Sequence, residues 1–297
     1  MRVDRALLPP QLRSQLKGLR LRPRLAPGNR GVGLHPSRNR GAGLEFSQYR
    51  AYEPGDDLRQ VDWKLYARSD RFFVREAERE SPLTLWLLID ASASMRQADP
   101  ARPDWQRLDA ARVLAAAIAE LALAQGDRFG LIELRETGPQ HLPASTGVRE
   151  RDRLWLRLQA LRAEGELPGD AQLEPIWGRV QRGDLAVILS DGFDPRLIAL
   201  AERLAAAGRE LIFLQLLTAA ERDFPFHSGH RFRDPETGAE IRGDGRALRA
   251  GYLERFGQML AALDARLDAA GIARARHVLD EPLLQPLRQL FGHAAWA

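Results

Sequence analysis

The sequence predicts an α/β protein, with a doubly wound, mostly parallel sheet that follows an irregular N-terminal β/loop extension. Two observations predict the sheet. Residues 85–89 and 185–189 are unbroken apolar runs of strand length, as expected of parallel strands buried on both faces, and 211–217 reads as a further strand. Segments of helical periodicity stand between them. A third observation sets the extension apart: residues 1–45 are rich in Gly, Pro and Arg and lack that alternation.

In chain order, residues 1–45 read as short irregular strands and loops, with turns at Pro27-Gly28-Asn29 and Gly41-Ala42-Gly43. Pro54-Gly55-Asp56-Asp57 is a turn, and Asp57 suits an N-cap for a helix through about Ala67. Residues 72–74 suit a strand. After the 85–89 strand, Asp104 can cap a helix over 105–124 with an apolar stripe at Leu108, Ala111, Ala115, Ile118 and Ala122, which Gly126 stops. A strand at 129–134 and helices at 149–162 and 173–181 precede the 185–189 strand. A helix at 197–207 leads to the 211–217 strand. Residues 224–246 read as a hairpin insertion with its turn near Glu236-Thr237-Gly238. A long helix at 247–270, a strand at 274–278 and a helix at 282–291 complete the chain. The expected organisation is an extension over 1–82 and a sheet domain over 83–297.

The 297 residues contain no cysteine, which excludes a disulfide scaffold, a thiolate metal site and a cysteine nucleophile. The longest apolar run, 113–119, falls short of the roughly 20 residues of a membrane span. Residues 1–17 lack the apolar segment of a signal peptide, so a cytoplasmic protein is expected. Charge is uneven. Residues 1–50 hold eleven Lys/Arg against two Asp/Glu, a balance of +9, which leaves −5 on the rest of a chain of net charge +4. That basic segment suits a nucleic-acid or membrane-surface arm, or docking on acidic groups of this chain or a partner. No recognition motif accompanies it.

In open α/β sheets ligands bind beyond the carboxyl ends of the strands. After the first apolar strand comes Asp90-Ala91-Ser92-Ala93-Ser94, and after a later one Ser190-Asp191-Gly192. Two carboxylates and two hydroxyls from Asp90, Ser92, Ser94 and Asp191 would form an all-oxygen site, the ligand set of a hard Mg²⁺ or Mn²⁺ ion. An acidic group of a partner would complete the coordination. The structural alternative is that these residues only cap loops.

These residues carry a family resemblance. Leu87-Leu88-Ile89-Asp90-Ala91-Ser92-Ala93-Ser94-Met95 resembles the metal-ion-dependent adhesion site (MIDAS) of von Willebrand factor A domains, and Ile188-Leu189-Ser190-Asp191-Gly192 its later aspartate segment. Upstream, Arg40-Gly41-Ala42-Gly43-Leu44-Glu45-Phe46 and the run from Arg50 through Pro54-Gly55-Asp56-Asp57-Leu58-Arg59-Gln60-Val61-Asp62-Trp63-Lys64 to Ala67-Arg68 resemble the signature of the DUF58 family. Phe232-Arg233-Asp234-Pro235-Glu236-Thr237-Gly238 fits the same family. The resemblance implies a von Willebrand A-like, Rossmann-type fold and a bacterial adaptor that links a MoxR-type AAA+ ATPase to a client protein. The adhesion site usually has a threonine in the loop that here is 164–172, which holds none; Asp170 is the nearest oxygen ligand there, and Thr146 lies earlier.

The cluster Arg50, Asp56, Asp57, Arg59, Asp62, Lys64 and Arg68 could form a surface that recognises the ATPase. It could equally be a network of caps and ion pairs, with Trp63 and Tyr66 as packing residues. No G-x-G-x-x-G or G-K-[ST] motif is present, so ATP hydrolysis is not expected. His227 and His230 lack companion ligands, and G-x-S-x-G is absent. The expectation is a non-enzymatic protein-interaction module. A metal-dependent, phosphoesterase-like hydrolase on the same carboxylates and a nucleic-acid-binding protein are the alternatives.

Overall fold

The computed structural model describes residues 7–21, 45–53, 61–78, 82–234, 236 and 238–292. The chain divides into two compact units. The smaller comprises β1 (Glu45–Ala51), α2 (Trp63–Ser69) and β2 (Phe73–Glu78), with β1 and β2 antiparallel. The larger joins α1 (Pro10–Gln15) to everything after Pro82. Its strands are β3 (Thr84–Asp90), β4 (Arg128–Leu134), β5 (Gln140–Ser145), β6 (Leu185–Ser190), β7 (Glu210–Leu217), β8 (Gly229–Arg233), β9 (Glu240–Asp244) and β10 (Ala273–Val278). Its further helices are α3 (Arg107–Gln125), α4 (Val148–Ala160), α5 (Asp170–Leu173), α6 (Pro175–Arg179), α7 (Pro195–Ala206), α8 (Ala219–Asp223), α9 (Gly245–Ala269) and α10 (Leu284–Phe291).

The main sheet runs β10-β7-β6-β3-β4-β5, parallel except for the antiparallel β4–β5 edge pair. This is the doubly wound, mostly parallel sheet expected of the sequence. Every residue of β6 and β7 is buried, which is why nearly all of them are apolar; Glu210 and Gln215 of β7 are the buried polar exceptions, with Ser190 at the end of β6. Strand alternation divides the core. Leu85, Leu87 and Ile89 face one side with α3 and α10, while Trp86 and Leu88 face the other with α7 and α9. The Trp86 ring lies over Gly130 of β4, where any Cβ would come within 2.7 Å of it. The Trp86 indole N–H donates to Asp184 at 3.0 Å.

Helix α3 is enclosed by the fold. Its seven alanines from Ala110 to Ala122 are buried, so the backbone approaches the sheet closely. It starts at Arg107 rather than after Asp104: the Asp109 carboxylate accepts from the Gln106 N–H at 3.0 Å and sets the first turn. The 173–181 helix is two short helices, α5 and α6, with Pro175 opening the second. β5 has no counterpart in the sequence reading. Only Leu142 and Ala144 of it are buried, and Pro143 suits a sheet edge.

The extension differs from its expected 1–82 span. Residues 7–21 pack with the larger unit: Leu8, Leu12, Leu16 and Leu21 are buried in the same core as α3. Arg13 pairs with Glu120 at 3.1 Å, and Gln125 exchanges two hydrogen bonds with the Leu21 backbone. The i, i+4 spacing of three leucines therefore makes a helix where loops were expected. In the smaller unit the helix begins at Trp63, capped by Asp62, whose carboxylate accepts from the Lys64 and Leu65 N–H groups at 2.9 and 3.0 Å. Asp57, expected as its cap, lies outside the described residues, as do the 27–29, 41–43 and 54–57 turns. No helix among the described residues is long and apolar enough to cross a membrane.

His277 on β10 is fully buried, and neither ring nitrogen has a hydrogen-bond partner among the described residues. Burial pushes its pKa down to about 4, against a weaker upward pull from Asp280. A histidine held below its unfolded value contributes stability that is complete above about pH 6.5 and lost as pH falls toward the folded value. Chemical denaturation of wild type between about pH 7.5 and pH 5 should therefore lose about 2 kcal/mol more stability than His277→Leu does. Parallel losses in the two proteins would refute that account of His277.

Candidate functional site

The site forms where β3 and β6 end side by side. Ile89 is paired with Leu189, so Asp90 and Ser190 emerge at the same level. Asp90 is 2% exposed. One of its carboxylate oxygens accepts the Ser92 N–H at 2.9 Å, and the other accepts the Ser190 hydroxyl at 2.7 Å. Asp191, equally buried, accepts the Phe193 N–H at 3.2 Å and one Arg107 N–H at 2.8 Å. Between them Gly192 has φ +75°, a backbone conformation that turns the chain back along α7 and that other residues rarely adopt. Burial, and then the neighbouring Asp191 charge, push the Asp90 carboxyl up to about 6.

The Ser92 and Ser94 hydroxyls lie 3.0 Å apart. Asp90, Ser94 and Asp191 line an open cleft of about 700 Å³, with Phe193, Tyr252 and Glu236, and the buried Ser92 lies behind Ser94. Two members were not anticipated. Arg107, 1% exposed, donates to Asp191, to the Ser94 carbonyl at 3.1 Å and to Glu221. Glu221 in turn accepts the Thr218 N–H and hydroxyl at 2.9 and 3.0 Å. Arg107 is the first residue of α3, two residues after the helix start expected from the sequence. Glu236, at the tip of the β8–β9 hairpin, is half-buried and lines the same cleft, and burial pushes its carboxyl above the ordinary value.

Asp170 does not join them. It is exposed at the start of α5 and lines a separate cleft with Trp177, Arg196 and Arg203. Its loop reaches the site through backbone instead. The Gly165 carbonyl accepts the Ala93 N–H, and the Glu164 N–H donates to the Ala91 carbonyl, both at 2.8 Å. Leu167 is then buried and carries the chain away before residue 170.

The charged cluster of the smaller unit resolves unevenly. Asp62 is buried as a helix cap, Lys64 and Arg68 are exposed, and the backbone of Arg50 pairs with Val74. Asp56, Asp57 and Arg59 lie outside the described residues. Trp63 is 56% exposed rather than packed inside, although its ring meets those of Tyr66 and Phe72 edge-on.

A family model described as "Protein of unknown function DUF58" matches residues 48–259. The uncharacterized proteins Mb1516 of Mycobacterium bovis and Rv1480 of Mycobacterium tuberculosis are each 30% identical over 211 residues. The match covers 70% of this chain, and the chain spans 64% of those relatives' length. Similar solved structures include the conserved hypothetical protein BatB of Bacteroides thetaiotaomicron, at 14% identity and TM-score 0.40 over 66% of this chain and 90% of that one. The SpRpn10 VWA domain is also similar, at 14% identity and TM-score 0.40 over 73% and 99%.

Arg107 joins two carboxylates in a place with little water. Its loss leaves Asp191 buried without its cation, so Arg107→Met should cost about 3–5 kcal/mol in urea denaturation. Asp191→Asn should cost at least about 1 kcal/mol less in that background than in wild type. Additive losses would show that the two side chains are not coupled.

Proposed function

This chain belongs to the DUF58 family, and on that premise we propose that it is a non-enzymatic protein-interaction module that engages an acidic group of a partner at the ends of β3 and β6. The observation that supports this reading most is that Asp90, Asp191 and Ser94 line one cleft, with the Ser92 hydroxyl 3.0 Å from that of Ser94. All the donors are oxygens, the set that suits Mg²⁺ or Mn²⁺. The raised Asp90 pKa reports negative charge held in a buried place beside Asp191, which a cation would relieve. Asp90, Ser92, Ser94 and Asp191 would hold the ion, with Asp170 outside the set. When bound, the ion would supply positive charge and an open position for an incoming carboxylate.

The residues of this chain do the rest. Ser190 and the Ser92 N–H orient Asp90, and Arg107 fixes Asp191. The walls of the cleft combine the Phe193 and Tyr252 rings with the charged Asp194, Arg233 and Glu236. The family signature extends the proposal to its partners, a MoxR-type AAA+ ATPase and a client protein. The hydrolase alternative asks for a denser cluster. Among the described residues no three or more His, Cys, Asp or Glu are grouped to hold a metal.

Calorimetric titration with Mg²⁺ and Mn²⁺ tests the reading. Wild type and Asp170→Ala should bind one ion saturably, with affinities within about twofold of each other, and Asp90→Ala should not bind. The purified ATPase should be retained by wild type in the presence of the ion and released by Asp90→Ala. Identical titrations of wild type and Asp90→Ala would overturn the cation reading.

A further inference from the structure

We infer that the smaller unit carries a docking surface of its own, an aromatic and basic patch of Trp63, Tyr66, Phe72, Lys64, Arg68 and Arg71 that takes an acidic segment of a partner protein. This surface is additional to the strand-end site and does not depend on it.

The chain builds the patch from one helix and the turn that follows it. Asp62 caps α2 at its start. Asp70 ends it in the left-handed conformation, φ +53°, and its N–H donates to the Tyr66 carbonyl at 2.9 Å. The Tyr52 N–H donates to the Phe72 carbonyl at 3.0 Å, which fixes the chain as it enters β2. The turn lays Phe72 on Tyr66, with ring centroids 4.4 Å apart and planes nearly parallel. Trp63, one helical turn before Tyr66, stands close to perpendicular to both rings at 6.2 and 6.4 Å. The tilted Tyr52 ring lies 6.1 Å from Phe72.

Rings packed in this way usually form the inside of a core. Here they face outward: Trp63 is 56% exposed and Phe72 44%. A contiguous apolar patch left on a surface marks an interaction site. The rings already immobilise one another, so a partner spends little ordering entropy on them. Trp, Tyr and Arg are also the residues in which binding energy concentrates.

The charges around the rings select the occupant. Trp63, Lys64, Ala67 and Arg68 are all exposed and follow one another around the outer face of α2, and the exposed Arg71 precedes Phe72 in the chain. Among the described residues none of the three basic side chains has an ion-pair partner. Residues 63–72 hold these three cations against Asp70, a balance of +2. Carboxylates of a partner, flanked by apolar side chains that cover the rings, match this surface in both charge and polarity. A nucleic-acid strand would meet the same charges, but its bases stack on free ring faces, and Tyr66 and Phe72 spend a face on each other.

Fluorescence anisotropy of a labelled synthetic peptide of alternating Glu and Leu, titrated with the full chain in EDTA, tests the patch while the strand-end site holds no ion. Wild type should bind the peptide, and its affinity should fall as NaCl is raised. Trp63→Ala should weaken binding about tenfold. Arg68→Glu/Arg71→Glu should weaken it by more than that, and this variant removes no ring contact, so a disturbed aromatic cluster does not explain its loss. The same peptide with Gln in place of Glu should not bind. Wild-type affinity in both variants, equal binding of the Gln peptide, or tighter binding of a labelled oligo(dT) would overturn the inference. So would self-association of wild type that Trp63→Ala abolishes, which would make a second copy the occupant. Failure here leaves the strand-end reading standing, and failure of the Mn²⁺ titration leaves this surface standing.

Discussion

Two carboxylates, Asp90 and Asp191, end neighbouring parallel strands inside the protein, and the structure around them is arranged to make that bearable. Buried charge is costly unless it is paired or hydrogen-bonded. Each oxygen described for these side chains has a donor: the Ser92 N–H and Ser190 hydroxyl for Asp90, the Phe193 N–H and Arg107 for Asp191. Asp90 receives only neutral donors, and its carboxyl accordingly sits well above its ordinary value. Asp191 receives a guanidinium. The asymmetry leaves Asp90 as the uncompensated charge facing the cleft.

The pairing of Arg107 links this site to parts of the chain far from it. By starting α3, Arg107 connects the central helix to Asp191 after β6 and to Glu221 on α8. Asp99 adds a second tie, accepting the Ala220 N–H at 2.9 Å. The loops after β3, β6 and β7 are therefore held as one rim, although each follows a different strand. Such a rim suits recognition, because its polar atoms are fixed before a partner arrives. The hairpin is held differently, by an aromatic cluster at its base.

Much of the fold was legible along the chain. The strands β3, β4, β6 and β7 announce themselves because both faces are buried, so nearly every position must be apolar. Helices such as α7 show one stripe, and the β8–β9 hairpin shows its turn. The edge strand β5 was illegible because two buried side chains are too weak a pattern. α1 was masked by Pro9 and Pro10, which read as loop although a proline at the start of a helix is favourable.

The sequence by itself determined which strands lie at the centre and that Asp90, Ser92, Ser94 and Asp191 stand at their carboxyl ends, because burial period and strand-end position are local properties. It could not determine which distant groups meet those residues. Asp170 was the nearest oxygen in the right loop, yet the buried Leu167 directs that loop away, and what reaches the site is the Gly165 carbonyl. Arg107 and Glu236 arrive from a helix start and a hairpin tip whose directions follow from packing against the sheet and from the Phe224–Phe232 stack. Charge compensation acts through space, so only the tertiary structure decided which cation pairs with Asp191.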